Sequence, residues 1–216
     1  MIDSRYRGEP HNVVIEKGLD NHQELMNWAK GSEGTANKIW LQLNHPGKQT
    51  PKFLTKVPVA PSAVPLKPPL NKMFNPPREL SESEIQDIIG RFAYAAFIAK
   101  KTGFKGVQIH GAHGYLVSQF LSPRHNKRTD EYGGSIDNRM RFAAEIYESI
   151  RTNVGPDFPV SIKINSADFQ KGGFSEEDSI EVVKILSKEG MDLIEISGGT
   201  YEAPAMMGKR KKSTLD

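Results

Sequence analysis

Short apolar runs alternate with longer amphipathic ones along this chain. Ile39–Leu43, Val107–Ile109, Val160–Ile164 and Leu193–Ile196 are brief and rich in β-branched residues, the pattern of buried strands. Between them the apolar positions take helical spacing. In Ser81–Thr102, the residues Ile85, Ile88, Ile89, Phe92, Ala96 and Ala99 fall on one stripe. Ser81 and Glu84 have the spacing of a capping box, and Gly103 stands where a helix of this length stops. Ser135–Val154 repeats the pattern through Ile136, Met140, Ala143, Ile146 and Ile150. Ser175–Glu189 does so again, opening on Ser175 and Asp178 and ending at Gly190. An earlier helix is expected over Asn21–Ala29. Strand, helix, strand, with crossovers this long, predicts parallel strands in an α/β fold.

One segment breaks the rhythm. Thr50–Pro77 is proline-rich and longer than a simple connection, and its "VPVAPSAVP" reads as an ordered, extended loop lying over a site. A dinucleotide-binding sheet would carry a glycine fingerprint after its first strand. "HGAHGYL" is not GxGxxG, and no P-loop pattern occurs.

Composition narrows the picture further. The 216 residues are 37% hydrophobic and 25% charged, ordinary for a globular protein able to bury a core. The absence of cysteine removes disulfides, thiolate metal sites and cysteine nucleophiles, and fits a cytoplasmic protein. No apolar run approaches a membrane span, and "MIDSRYRGEP" lacks a signal-peptide core, so no membrane partner is expected. The net charge of +3 resides in the tail Lys209–Asp216, with four basic residues against one acid. Residues 1–208 are therefore neutral overall, and read as one domain. The tail 209–216 reads as a solvated end rather than a nucleic-acid contact.

The candidate chemistry lies where strands end. Gln42 interrupts the first strand, His110 ends the second, and Lys163 sits between Ile162 and Ile164 in the third. A lysine buried in an apolar strand needs an anion or must lose its proton; otherwise it points to solvent. All three lie near the C-terminal ends of parallel strands, where active sites of α/β barrels collect. His110 and His113, three apart, are open to three readings. They hold a metal with a third ligand such as His45, they satisfy a core, or they converge as imidazole donors on one oxygen with Tyr115 as a nearby proton donor. The flanking Gly111 and Gly114 favour a tight turn over a helix, which weakens the metal reading, and no functional metal is expected.

Taken together, "IWLQLNHPGKQTP", "VAPSAV", "GFKGVQIHGAHGYLVSQFLSPRHNKRTDEYGGSIDNRMRF" and "PVSIKINSADF" resemble the old yellow enzyme family of NADH:flavin oxidoreductases. The resemblance implies a TIM (β/α)8 barrel holding FMN at the C-terminal face of its strands. It implies that Gln42 meets the flavin pyrimidine edge and that Lys163 lies beside flavin N1 and the C2 carbonyl, where the family often has arginine. It implies that His110 and His113 grip a substrate carbonyl oxygen and that Tyr115 donates the proton. NADH or NADPH would reduce the FMN, and an activated, enone-like alkene would accept the hydride. Arg128, Asp130 and Arg139 of "RTDEYGGSIDNR" read as loop scaffolding. Asn44 stands where many relatives carry tryptophan.

The resemblance covers only part of that barrel. The four strands match the family's third to sixth, and Met1–Ser4 resembles the end of the second. The first strand and the seventh and eighth, whose loops grip the FMN phosphate in the family, find no counterpart. The expectation is thus a partial barrel with open strand edges prone to self-association. A catalytically silent barrel fragment that persists through self-association or a partner chain is the alternative to an ene-reductase.

Overall fold

A computed structural model of the chain describes residues 1–203, so the basic tail lies outside the described residues. In chain order the elements are α1 (His22–Ala29), β1 (Leu41–Leu43), β2 (Val59–Ala60), β3 (Arg78–Glu79), α2 (Glu82–Lys101) and β4 (Val107–Gly111). They continue with α3 (Leu116–Leu121), α4 (Ile136–Val154), β5 (Val160–Asn165), α5 (Glu176–Lys188) and β6 (Leu193–Ser197).

The main sheet has the order β1-β4-β5-β6, every pair parallel. These are the four strands expected, in sequence order. An order without reversal, joined by right-handed crossovers, keeps α2, α4 and α5 on one side of the sheet. That is the arrangement of a barrel wall, not of a doubly wound sheet. The helices stop and start as their sequences require. Ser81–Glu84 and Ser175–Asp178 both form reciprocal capping boxes.

Side chains alternate across a strand, and register partners in a parallel pair share a face. Leu43, Ile109 and Ile162 therefore line one face together, with Val107 and Val160 a layer away. All five are buried against the apolar stripes of α2 and α4, including Phe92, Ala96, Phe142 and Ile146. The other face carries Gln42 and Gln108 in one layer, then His110, Lys163 and Glu195, then Asn165 and Ser197.

Some boundaries differ from expectation. The first strand is shorter, Leu41–Leu43, while the second runs on through His110 to Gly111. Met1–Ser4 forms no strand, although Ile2 N–H donates to the Asn44 carbonyl at 3.2 Å beside the end of β1. The long proline-rich segment is ordered, as its sequence suggested. Val59 and Ala60 pair with Arg78 and Glu79, and Arg128 Nη1 donates to the Pro61 and Leu80 carbonyls at 3.0 and 2.6 Å. Arg128 also pairs with Asp130, and Arg139 with Asp178 at 3.0 Å, so these charges brace loops. No helix among the described residues is long and apolar enough to cross a membrane.

Candidate active site

The strand β4 ends in a turn that its sequence dictates. A Cβ at Gly111 would lie 2.9 Å from the Lys163 carbonyl oxygen, so only glycine lets β4 and β5 approach this closely. Two residues on, His113 adopts φ 61°, a left-handed conformation uncommon for a residue with a side chain. The surroundings hold it there. Its N–H donates to Asn165 Oδ1 at 3.0 Å, and Gln49 Nε2 donates to its carbonyl at 3.0 Å. The turn carries the His113 ring back toward His110, with centroids 5.2 Å apart and planes at 77°. Tyr115, at the entrance to α3, stands edge-on to His110 with centroids 4.8 Å apart.

Lys163 is the register partner of His110 and is half-buried rather than pointed into solvent. Its Nζ pairs with Glu195 Oε1 at 2.8 Å. Gln42 lies on the same face but one layer nearer the strands' N-terminal ends. Its Nε2 donates to Gln108 Oε1 at 2.7 Å, and Gln108 Nε2 in turn donates to Glu195 Oε2 at 2.9 Å. A single polar ladder thus connects Gln42 and Lys163 across the sheet, and the rings of His110, His113 and Tyr115 stand together beyond it.

The electrostatics leave both imidazoles neutral. Burial is the largest cause, followed by the neighbouring His113 and Lys163, and pushes His110 down to about 3. Burial and then Lys163 lower His113 as well. The His110 ring accepts the Ala112 N–H at Nδ1, 3.3 Å away, which leaves its own proton on Nε2. His113 Nε2 is 2.8 Å from Ser197 Oγ. Tyr115 is raised well above the ordinary phenol value, first by burial and then by the Tyr201 hydroxyl, so it stays a proton-bearing donor. Lys163 and Gln108 lower Glu195, which keeps that carboxylate charged.

The structure also brings in residues the sequence did not announce. Tyr201 packs 6.2 Å from Tyr115 and 6.5 Å from His113, centroid to centroid. It follows β6 in "SGGTYE", where a polar residue just past a strand's C-terminal end was the available signal. Gln108, Asn165, Glu195 and Ser197 were visible only as polar letters in apolar runs. Their partners lie on other strands, so no local pattern could pair them. Among the described residues no group of three or more His, Cys, Asp or Glu side chains is arranged as a metal site.

The donors fit the edge of an isoalloxazine ring. A cation beside an amide pair offers charge and hydrogen bonds to a heterocycle with both carbonyl acceptors and an N–H donor. The buried Asn44 Oδ1, without a protein partner, adds an open acceptor next to β1.

Comparison with known proteins gives the family and the fold. A family model described as the NADH:flavin oxidoreductase / NADH oxidase family matches residues 16–213. The NADH-dependent flavin oxidoreductase nadA of Aspergillus parasiticus is 40% identical over 207 residues, 94% of this chain and 47% of that protein. Among solved structures, 2-naphthoyl-CoA reductase in complex with 2-naphthoyl-CoA superposes with a TM-score of 0.85 at 31% identity, over 94% of this chain and 32% of that one. An old yellow enzyme homologue from Zymomonas mobilis does so with a TM-score of 0.79 at 27% identity, over 90% of this chain and 57% of that one. The four strands are thus part of a barrel, and the chain spans about half the length of nadA.

Proposed function

The chain belongs to the NADH:flavin oxidoreductase / NADH oxidase family, and from that premise we propose that it carries the substrate-gripping part of an FMN-dependent ene-reductase. NADH or NADPH is the reductant and an activated, enone-like alkene the acceptor. FMN, when bound, supplies two-electron chemistry, taking hydride from the nicotinamide and giving it to the alkene. Lys163 and Gln42, with Gln108 behind it, would hold the pyrimidine edge of the ring, with positive charge available where reduction builds negative charge.

The remaining work belongs to the turn after β4. His110 offers an N–H from Nε2, and the His113 ring, its plane at 77° to that of His110, brings a second ring nitrogen to the same site. Two neutral donors converging on a carbonyl oxygen stabilise the enolate that forms when hydride reaches the β-carbon, without binding a proton themselves. Tyr115, kept protonated by burial, delivers its proton to the α-carbon. The single observation that carries this reading is the close packing of the His110, His113 and Tyr115 rings at the C-terminal ends of parallel strands.

The test separates the two half-reactions in flavin-loaded protein. Tyr115→Phe should slow alkene reduction by about a hundredfold or more, in the usual range for a positioned acid. Reduction by NADPH should be unchanged, because hydride transfer to the flavin needs no proton from this hydroxyl. Equal loss in both half-reactions would show that Tyr115 serves the fold or the cofactor instead.

A further inference from the structure

A cavity of 460 Å³ opens beside the catalytic turn, lined by Lys67, Arg124, Gln170, Lys171, Tyr201 and Glu202, among others. A smaller one of 310 Å³ shares Lys67, Arg124, Lys171 and Glu202 with it and adds Lys127. The two are lobes of one groove. Tyr201 is the link to the site: its ring packs on both Tyr115 and His113 and also forms part of the cavity wall.

The groove is strongly cationic once its internal charges are balanced. Glu202 is nearly buried, and its Oε2 lies 3.2 Å from His125 Nε2. His125 Nδ1 in turn lies 2.8 Å from the Nζ of Lys48, which is fully buried. Burial, and then Lys48 and Arg124, hold the His125 ring neutral. Glu202 lines the groove, but its charge is answered by Lys48 through a neutral imidazole, and its Oε1 accepts the Lys67 backbone N–H at 3.4 Å. Lys67, Arg124 and Lys171 have no such answer. Among the described residues none of them is within ion-pair distance of an acid. Lys67 and Lys171 are exposed to the groove's solvent, and Arg124 is half-buried, touching the Lys171 carbonyl at 3.5 Å. A cleft lined by one sign of charge concentrates ligands of the other sign.

We propose that this groove is a binding site for the phosphate-bearing tail of a ligand whose reactive end lies against His110, His113 and Tyr115. Three unpaired cations suit a multiply charged phosphate better than a carboxylate, and Gln170 with the Tyr201 ring can take an attached polar or aromatic group. The proposal rests on the flavin-reductase reading for the position of the reactive end, and gives that reading a ligand class: a nucleotide-like handle on the coenzyme or on the alkene substrate.

The experiment is calorimetric titration of the protein, with its flavin content recorded separately by absorbance. The probes are 5′-AMP, 2′,5′-ADP and 3′,5′-ADP. A preference for 2′,5′-ADP assigns the groove to the coenzyme's extra phosphate, and a preference for 3′,5′-ADP assigns it to a phosphorylated substrate. Either bisphosphate should bind about tenfold more tightly than 5′-AMP, and the Arg124→Gln variant should lose about that factor. Lys67→Gln and Lys171→Gln lie on exposed loop positions and should weaken binding without disturbing the fold. Lys105→Gln, an exposed lysine near the other end of the sheet, should change nothing. Bisphosphates that bind no better than 5′-AMP, or that bind equally to the Lys171→Gln and Arg124→Gln variants, would overturn the proposal. The same preference in protein that takes up no FMN when FMN is added would leave the groove standing and count against the flavin reading alone.

Discussion

On its helix-facing side the four-stranded sheet presents Leu43, Ile109 and Ile162, all buried under α2 and α4. On the concave side the same strands present Gln42, Gln108, His110, Lys163, Asn165, Glu195 and Ser197. The interior of an ordinary barrel is filled by branched apolar side chains. Here the inner layers near the C-terminal ends are amides, imidazoles and an ion pair. The contrast teaches how labour is divided within single strands: positions of one parity hold the fold, and the positions between them present polar groups to the other face. A polar side chain on a strand is costly only if it goes unsatisfied, and the ladder from Gln42 to Glu195 gives each member a partner on another strand, Gln108 reaching past β5 to Glu195 on β6.

The largest effect should come from the helix-facing side. Ile162→Ala removes a side chain with no exposed surface and should cost about 2–5 kcal/mol of stability. Its neighbour on the concave face should behave differently: Gln108→Ala gives up hydrogen bonds near solvent, worth about 1 kcal/mol. Urea unfolding of the two variants measures both. Similar losses would erase the division between the faces.

A second prediction concerns acid. Unfolded, His110 titrates near 6.5; folded, burial and its neighbours hold it down to about 3. Between those values the unfolded chain binds a proton that the folded chain refuses. Stability therefore falls as the pH drops through this window, by about 1.4 kcal/mol per pH unit for one such group. His45, held down to about 4 by its burial, acts in the same direction. Replacing His110 with Gln should flatten the fall measured between pH 6.5 and pH 5. A slope as steep as in the parent protein would mean that His110 is charged in the folded state.

The sequence and the structure agree most closely where the signal is local. Four strands, the capping boxes at Ser81 and Ser175, and the long helices were all legible, because periodicity and capping act within one or two turns. The proline-rich loop could be recognised as ordered, though not that Arg128 would tether it at Pro61 and Leu80. His110, His113 and Tyr115 stood out because glycines around a histidine pair are an odd way to end a strand. Tyr201, Glu195 and the buried Lys48–His125–Glu202 chain did not. Each depends on residues 77 or more positions apart meeting in space, or on a side chain from the strand across the sheet. Lys163 was half legible. Its place among isoleucines left an anion, loss of its proton or a turn to solvent open, and Glu195 as the anion follows only from the register of β5 with β6.

The central claim is that the concave face, and Lys163 within it, holds a flavin ring while the opposite face holds the fold. Titrating FMN into flavin-free parent protein and into Lys163→Met, with the thermal midpoint followed in parallel, tests it directly. The account predicts that FMN binds about tenfold more weakly to the variant, as expected on losing one charge-assisted contact. It also predicts a midpoint little changed, because the pair with the half-exposed Glu195 contributes little to stability. Equal affinity in the two proteins, or a loss of affinity that merely follows a collapse of the midpoint, would contradict it.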